Sequence, residues 1–148
     1  MAIKIYKTTN PVVTLHTQSG TIADGAFSTI SSRLTSSLPS GGHEDMPLGD
    51  FEVYIPGLSA ATGTLPYIEM HVRPYSLDGI NAGPAPSSTY NRIIRTVGIS
   101  PVTTAQYIVI DNVPLLGDAD YAIKFVLGGT SNTVITGMTL KVKPFKFG

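Results

Sequence analysis

Phe51, Val53 and Ile55 alternate with Glu52 and Tyr54, and Ile68, Met70 and Val72 alternate with Glu69, His71 and Arg73. A period of two places successive side chains on opposite faces of a sheet, so each segment predicts a strand with one buried face. Tyr121, Ile123, Phe125 and Leu127 form one face of a longer strand. Met138, Leu140 and Val142 alternate with Thr139, Lys141 and Lys143 in the last one. Shorter candidates run over Ile3–Tyr6, Val12–His16, Ile93–Val97 and Tyr107–Ile110, which brings the total to about eight strands. Helical spacing is nearly absent.

Turn-forming residues punctuate these segments: Asn10-Pro11, Ser40-Gly41-Gly42, Pro56-Gly57, Asp78-Gly79, Gly83-Pro84-Ala85-Pro86, Gly117-Asp118 and Gly128-Gly129. Glycine admits positive φ and proline fixes φ, so each cluster ends a strand. Many short strands separated by turns predict an all-β, antiparallel sandwich or barrel.

Two stretches stand outside this pattern. From Ser28 to Gly42, Ser, Thr and Gly dominate, and Ile30, Leu34 and Leu38 lie four apart. That spacing admits a short amphipathic helix, but Ser and Thr are poor helix formers, and a loop or extended arm is the other reading. The second stretch, Asp78 to Thr89, reads as a long hairpin tip with two prolines, a place where contacts concentrate. The 148 residues suit a single domain. Residues 1–47 are expected to supply an N-terminal arm or strands, and residues 48–146 the sandwich core.

Composition changes the picture at the surface. Charged residues are 14% of the chain, against about 25% in an average globular protein, so Ser, Thr, Gly, Asn and Pro must cover much of it. Ten basic and ten acidic side chains cancel, which gives no basic field for nucleic acid or an anionic membrane. Cysteine is absent, which excludes disulfides, thiolate nucleophiles and Cys-ligated zinc. Met1 to Lys7 places charges inside an apolar run, unlike a signal peptide. No apolar segment reaches the roughly 18 residues that span a bilayer.

Candidate chemistry is sparse. Gly41-Gly42-His43-Glu44-Asp45 holds metal-ligand residue types, but His16 and His71 stand on separate predicted strands, and zinc needs three or four converging ligands. Asp78-Gly79-Ile80-Asn81 lacks the acidic spacing of a calcium loop and reads as a turn. No Gly-x-Ser-x-Gly elbow occurs. Glu52 and Glu69, on the outward faces of adjacent-looking strands, are the one candidate carboxylate pair for glycoside cleavage, with solvated strand charges as the plainer reading. Tyr54, Tyr67, Tyr75, Tyr90 and Tyr107 suit either an interface or the edge of the core. Phe145 and Phe147 must fold back on the sandwich or dock on a neighbour. No catalytic residue, cofactor or metal is expected.

From Phe51 onward the chain resembles a family of small virion proteins of tailed bacteriophages. The segments that carry the likeness are Pro56-Gly57-Leu58, Arg73-Pro74-Tyr75-Ser76-Leu77-Asp78-Gly79, Thr103-Thr104-Ala105-Gln106, Val113-Pro114-Leu115-Leu116-Gly117-Asp118 and Leu140-Lys141-Val142-Lys143-Pro144, about the last two thirds of the chain. That family includes capsid cement, or decoration, proteins. The resemblance implies a jelly-roll sandwich on the capsid exterior that clamps neighbouring subunits of the major capsid protein after synthesis in the host cytoplasm. It implies no catalytic residues, so no enzyme is expected, and the charge balance already leaves nucleic acid and membrane out of the expected partners. The expected interface residues are Ile30, Leu34, Leu38, Tyr75, Tyr90, Phe145 and Phe147. Residues 1–47 lie outside the likeness and are the expected gripping arm, so deletion of residues 1–40 should leave a folded sandwich that no longer binds capsids. Self-association is expected, most simply as a dimer, with a trimer as the alternative. A carbohydrate- or receptor-binding module of a phage tail or fibre is the rival reading, although the chain has no Trp for sugar stacking.

Overall fold

A computed structural model describes residues 6–35, 45–61, 64–115, 117–129 and 131–148. The described chain is all β. Its strands are β1 (Lys7–Thr9), β2 (Val13–Thr17), β3 (Ile22–Ala23), β4 (Leu48–Ile55), β5 (Tyr67–Pro74), β6 (Ile93–Gly98), β7 (Gln106–Pro114), β8 (Ala119–Val126), β9 (Thr133–Val134) and β10 (Thr139–Phe147). The expected strand Ile3–Tyr6 falls outside the described residues except for Tyr6.

One sheet has the order β1-β10-β4-β7, with β2 also on β10, a second has β6-β5-β8, and β3 pairs with β9 in a small two-stranded sheet. All pairings are antiparallel. The alternation along β4 buries Phe51, Val53 and Ile55, and that along β5 buries Ile68 and Met70. These side chains meet Tyr121, Ile123 and Phe125 of β8 and Leu140 and Val142 of β10 in one core. Phe51 packs edge-on against Tyr121, with ring centroids 4.9 Å apart.

The largest departure from expectation is at residues 24–34. No helix forms there, and the segment is not a free arm: it runs antiparallel along β8. The N–H groups of Gly25, Ser28, Ser31 and Leu34 donate to the carbonyls of Phe125, Ile123, Tyr121 and Ala119. The segment therefore advances three residues for every two of β8, so its carbonyls fall out of step with the N–H groups they would meet in a regular ladder. Side chains fill the gaps: Ser28 Oγ accepts the Ile123 N–H at 3.0 Å, Ser31 Oγ that of Tyr121 at 3.0 Å, and Asp24 Oδ1 that of Leu127 at 2.7 Å. Backbone carbonyls of Ala26 and Leu34 take those of Phe125 and Ala119. A β8 edge that the strand pattern left open is thus satisfied along its length.

With this segment counted as the eighth element, the sheets read β2-β10-β4-β7 and 24–34-β8-β5-β6. Among these eight elements, with the short β1, β3 and β9 left aside, every step along the chain crosses between the two sheets except β5 to β6. That is the jelly-roll arrangement of two Greek keys.

Candidate interaction surface

β5 and β10 end, and β4, β6 and β8 begin, at one end of the sandwich. The 75–92 connection and residues 115, 117 and 118 between β7 and β8 lie there. Within the first, Ser76 donates its N–H to Asn81 O at 2.7 Å and accepts the Asn81 N–H on Oγ at 3.0 Å. Gly79, at φ 74°, donates to Ser76 O at 2.7 Å, and Ile80 N–H to Asp78 Oδ1 at 3.0 Å. The Ser76 hydroxyl also donates to Asp78. Together the Ser76 and Ile80 bonds hold the Asp78 carboxyl below its ordinary range. This closed set of bonds leaves Leu77 and Ile80 standing in water, with relative exposures of 110% and 75%.

An ionic network fixes the loop from beneath. Asp120, only 1% exposed, accepts Arg73 Nε at 2.9 Å, a second bond from Arg73 Nη2, and the Tyr75 hydroxyl at 2.9 Å. Burial lowers the Arg73 value, but the hydrogen bond and charge of Asp120 outweigh it and hold it above ordinary. Arg33 lies 4.0 Å over the Tyr75 ring and pairs with Asp118. A Cβ on Gly79 would stand 2.9 Å from Arg33 Nη2, so glycine admits this close approach. Beside the loop, Val72, Pro74, Pro84, Thr89, Tyr90, Asn91 and Arg92 line a groove of about 410 Å³.

The sequence-predicted residues scatter. Tyr75 and Tyr90 lie at this end, Tyr75 half-buried in the network and Tyr90 exposed. Ile30 is half-buried in the segment along β8. Leu34 and Phe145 are each 0% exposed, so both belong to the interior and present nothing to a partner. Phe145 is covered by Phe147, edge-on at 5.3 Å, and by Lys7 Nζ at 3.8 Å, while Phe147 stays exposed. Leu38 lies outside the described residues, as do His43 and Glu44.

Glu52 and Glu69 do not form a pair. They sit on β4 and β5, which belong to different sheets, and each lies at an outward position of its own sheet. Facing sheets pack about 10 Å apart, so the core separates the two carboxylates. The expectation of adjacency failed because the β4–β5 connection crosses the sandwich. Glu69 instead bonds the buried His71 at 3.2 Å. Among the described residues no group of three or more His, Asp and Glu converges as a metal site would require.

Leu77, Ile80 and Val109 are exposed apolar residues that sequence reasoning did not single out as contacts, and Tyr107, one of the tyrosines expected at an interface or the core edge, is exposed as well. For Leu77 and Ile80 the signal was available: they flank Asp78-Gly79 in a stretch with no period-two partner, so no strand face was there to bury them. Chemically, the surface offers apolar tips on a fixed loop with a groove beside them, a geometry for non-covalent docking. No family model matches the chain, and no curated protein matches it.

Proposed function

We propose that this protein is a structural binding module that docks on the outside of a tailed-phage capsid lattice and clamps neighbouring subunits of the major capsid protein. The observation that carries the reading is the Ser76–Asn81 loop, whose internal bonds are already made and whose Leu77 and Ile80 side chains are already exposed. A preformed apolar tip loses little conformational entropy on docking. Modest contacts of this kind sum by valency on a repeated lattice. The jelly-roll scaffold, shared by viral capsid and lectin domains, is compatible with this role, as is the formal net charge of zero.

The test is cosedimentation with capsids of the parent virus that lack the protein. Saturable binding is expected, weakened about tenfold or more by the double substitution Leu77→Asp and Ile80→Asp, which removes apolar anchors without touching the core. Absence of binding by the unaltered protein would overturn the lattice reading. The groove lined by Tyr90, Asn91 and Arg92 favours one second reading, a glycan- or receptor-binding module of a tail or fibre, and a glycan array probed with wild type and Tyr90→Ala tests it.

A further inference from the structure

The two sheets differ in how their edges are closed. The β8 edge is satisfied by residues 24–34. The edge beyond β10 is made of the short β1 and β2, interrupted at Asn10-Pro11, with Lys7 at its start and Leu15 O accepting the Ser32 N–H. The β6 edge carries Arg95 and a register break opposite Met70 and His71. Short strands, proline, charge and irregularity are the devices that keep edges from pairing.

The edge of β7 has none of them over residues 106–110. Gln-Tyr-Ile-Val-Ile is uncharged and free of proline, pairs in continuous register with β4 on one side, and has no strand on its other side among the described residues. The stretch has defined limits. Gln106 bonds the backbone of Ser100 at one end. At the other, Asn112 at φ 54° accepts Arg95 Nη2 on its carbonyl and breaks the register. On its outer face Tyr107 and Val109 are 66% and 62% exposed, and Tyr107 lies against Tyr54 with ring centroids 4.9 Å apart.

We propose that β7 is a homodimerisation edge that pairs antiparallel with β7 of a second copy about a twofold axis through Ile108. Faces must match across such a pair, so only registers that bring odd residues opposite odd ones are allowed. Centring on Ile108 sets Tyr107 opposite Val109 of the other copy, twice, an aromatic against β-branched pair that stabilises antiparallel sheets. It extends the Tyr54–Tyr107 ladder across the axis and brings no charge opposite another. Centring on Val109 would instead set Tyr107 opposite Asp111. The occupant is a second copy because this stretch complements itself in one register, and an uncharged edge on a chain of zero net charge meets no repulsion from its own kind. The inference goes beyond the lattice reading and stands whether or not the protein binds capsids.

Sedimentation equilibrium of the full chain should show a concentration-dependent dimer. Val109→Lys, at an exposed position, should raise its dissociation constant about tenfold or more while leaving the thermal unfolding of the monomer unchanged. The chain has no cysteine, so a disulfide-linked dimer of the Tyr107→Cys, Val109→Cys double variant under mild oxidation would report the pair directly. Residues two apart on one strand face are too distant to bridge within a copy. A protein that stays monomeric, a dimer indifferent to Val109→Lys, or efficient cross-linking of Val109→Cys alone would each overturn the proposal, the last by showing the other register.

Discussion

Ser28 Oγ accepts the backbone N–H of Ile123 at 3.0 Å, and both residues are buried. A side chain here does the work of a backbone carbonyl, and Ser31 repeats the arrangement with Tyr121. Ser28→Ala or Ser31→Ala should leave a buried N–H unpaired at a cost of about 1–3 kcal/mol each. Ser32→Ala, at an exposed neighbour, should fall within about 0.5 kcal/mol. Urea denaturation gives the energies, and faster hydrogen exchange at Ile123 in Ser28→Ala locates the effect. Equal responses at Ser28 and Ser32 would contradict the bonding scheme.

Truncation follows from the same segment. Deletion of residues 1–40 removes β1, β2 and β3 as well as Leu15, Ile22 and Leu34 from the core, and it strips the acceptors from the β8 edge. Loss of a single such core side chain costs about 2–5 kcal/mol, and a whole domain is stable by about 5–15 kcal/mol. The shortened chain should therefore fail to give a cooperative unfolding transition. Deletion of residues 1–5 alone keeps β1, β2, β3 and residues 24–34 in the chain and should retain one. A cooperative transition in the 1–40 deletion would show that residues 24–34 are dispensable.

The strands that carry most of the core were legible because period two leaves little choice of face. β4, β5, β8 and β10 came from that signal, and so did the fold class. The 24–34 segment escaped it because its partners recur every third residue and side chains of Asp24, Ser28 and Ser31 replace some of its backbone acceptors, so it has neither the strand nor the helix period. Its Ile30 and Leu34, four apart, suggested a helix face, whereas Leu34 reaches the core from a non-helical segment bonded along β8. At the candidate surface, Tyr90 and the long tip were visible, but the Arg73–Asp120 pair was not. Asp120, between the Gly117-Asp118 turn and the strand face that starts at Tyr121, carries no signal of its own, and only the β5–β8 register sets it opposite Arg73.

That pair supplies a separable test. Asp120 is 1% exposed, and Arg73 is its only cationic hydrogen-bond partner among the described residues. Arg73→Met leaves a buried carboxylate without its cation and should cost about 3 kcal/mol. Tyr75→Phe removes one hydrogen bond and should cost about 1 kcal/mol. Combining Arg73→Met with Asp120→Asn should cost less than the sum of the two single changes, because the second relieves the charge that the first strands. Additive losses in a double-mutant cycle would mean that the two side chains act independently.

The loop above the pair has a pH response whose direction is set by Asp78. Its carboxyl lies below the ordinary value of 3.8 because the Ser76 hydroxyl, and then the Ile80 N–H, bond to the ionised form. A lowered folded value means that the stabilising contribution is present above the unfolded-state value and is lost as pH falls through the folded one. The loop should therefore stay closed through neutral and mildly acidic solution and open only in stronger acid. Carbon-detected NMR titration should place the Asp78 midpoint below 3.8, and faster exchange of the Ile80 amide should accompany the protonation. Asp78→Ala should show that faster exchange at every pH while leaving global unfolding almost unchanged, since Asp78 is exposed. A midpoint at or above the ordinary value, or an Ile80 amide indifferent to the substitution, would mean that the carboxylate does not close the loop and that Leu77 and Ile80 are not held ready for a partner.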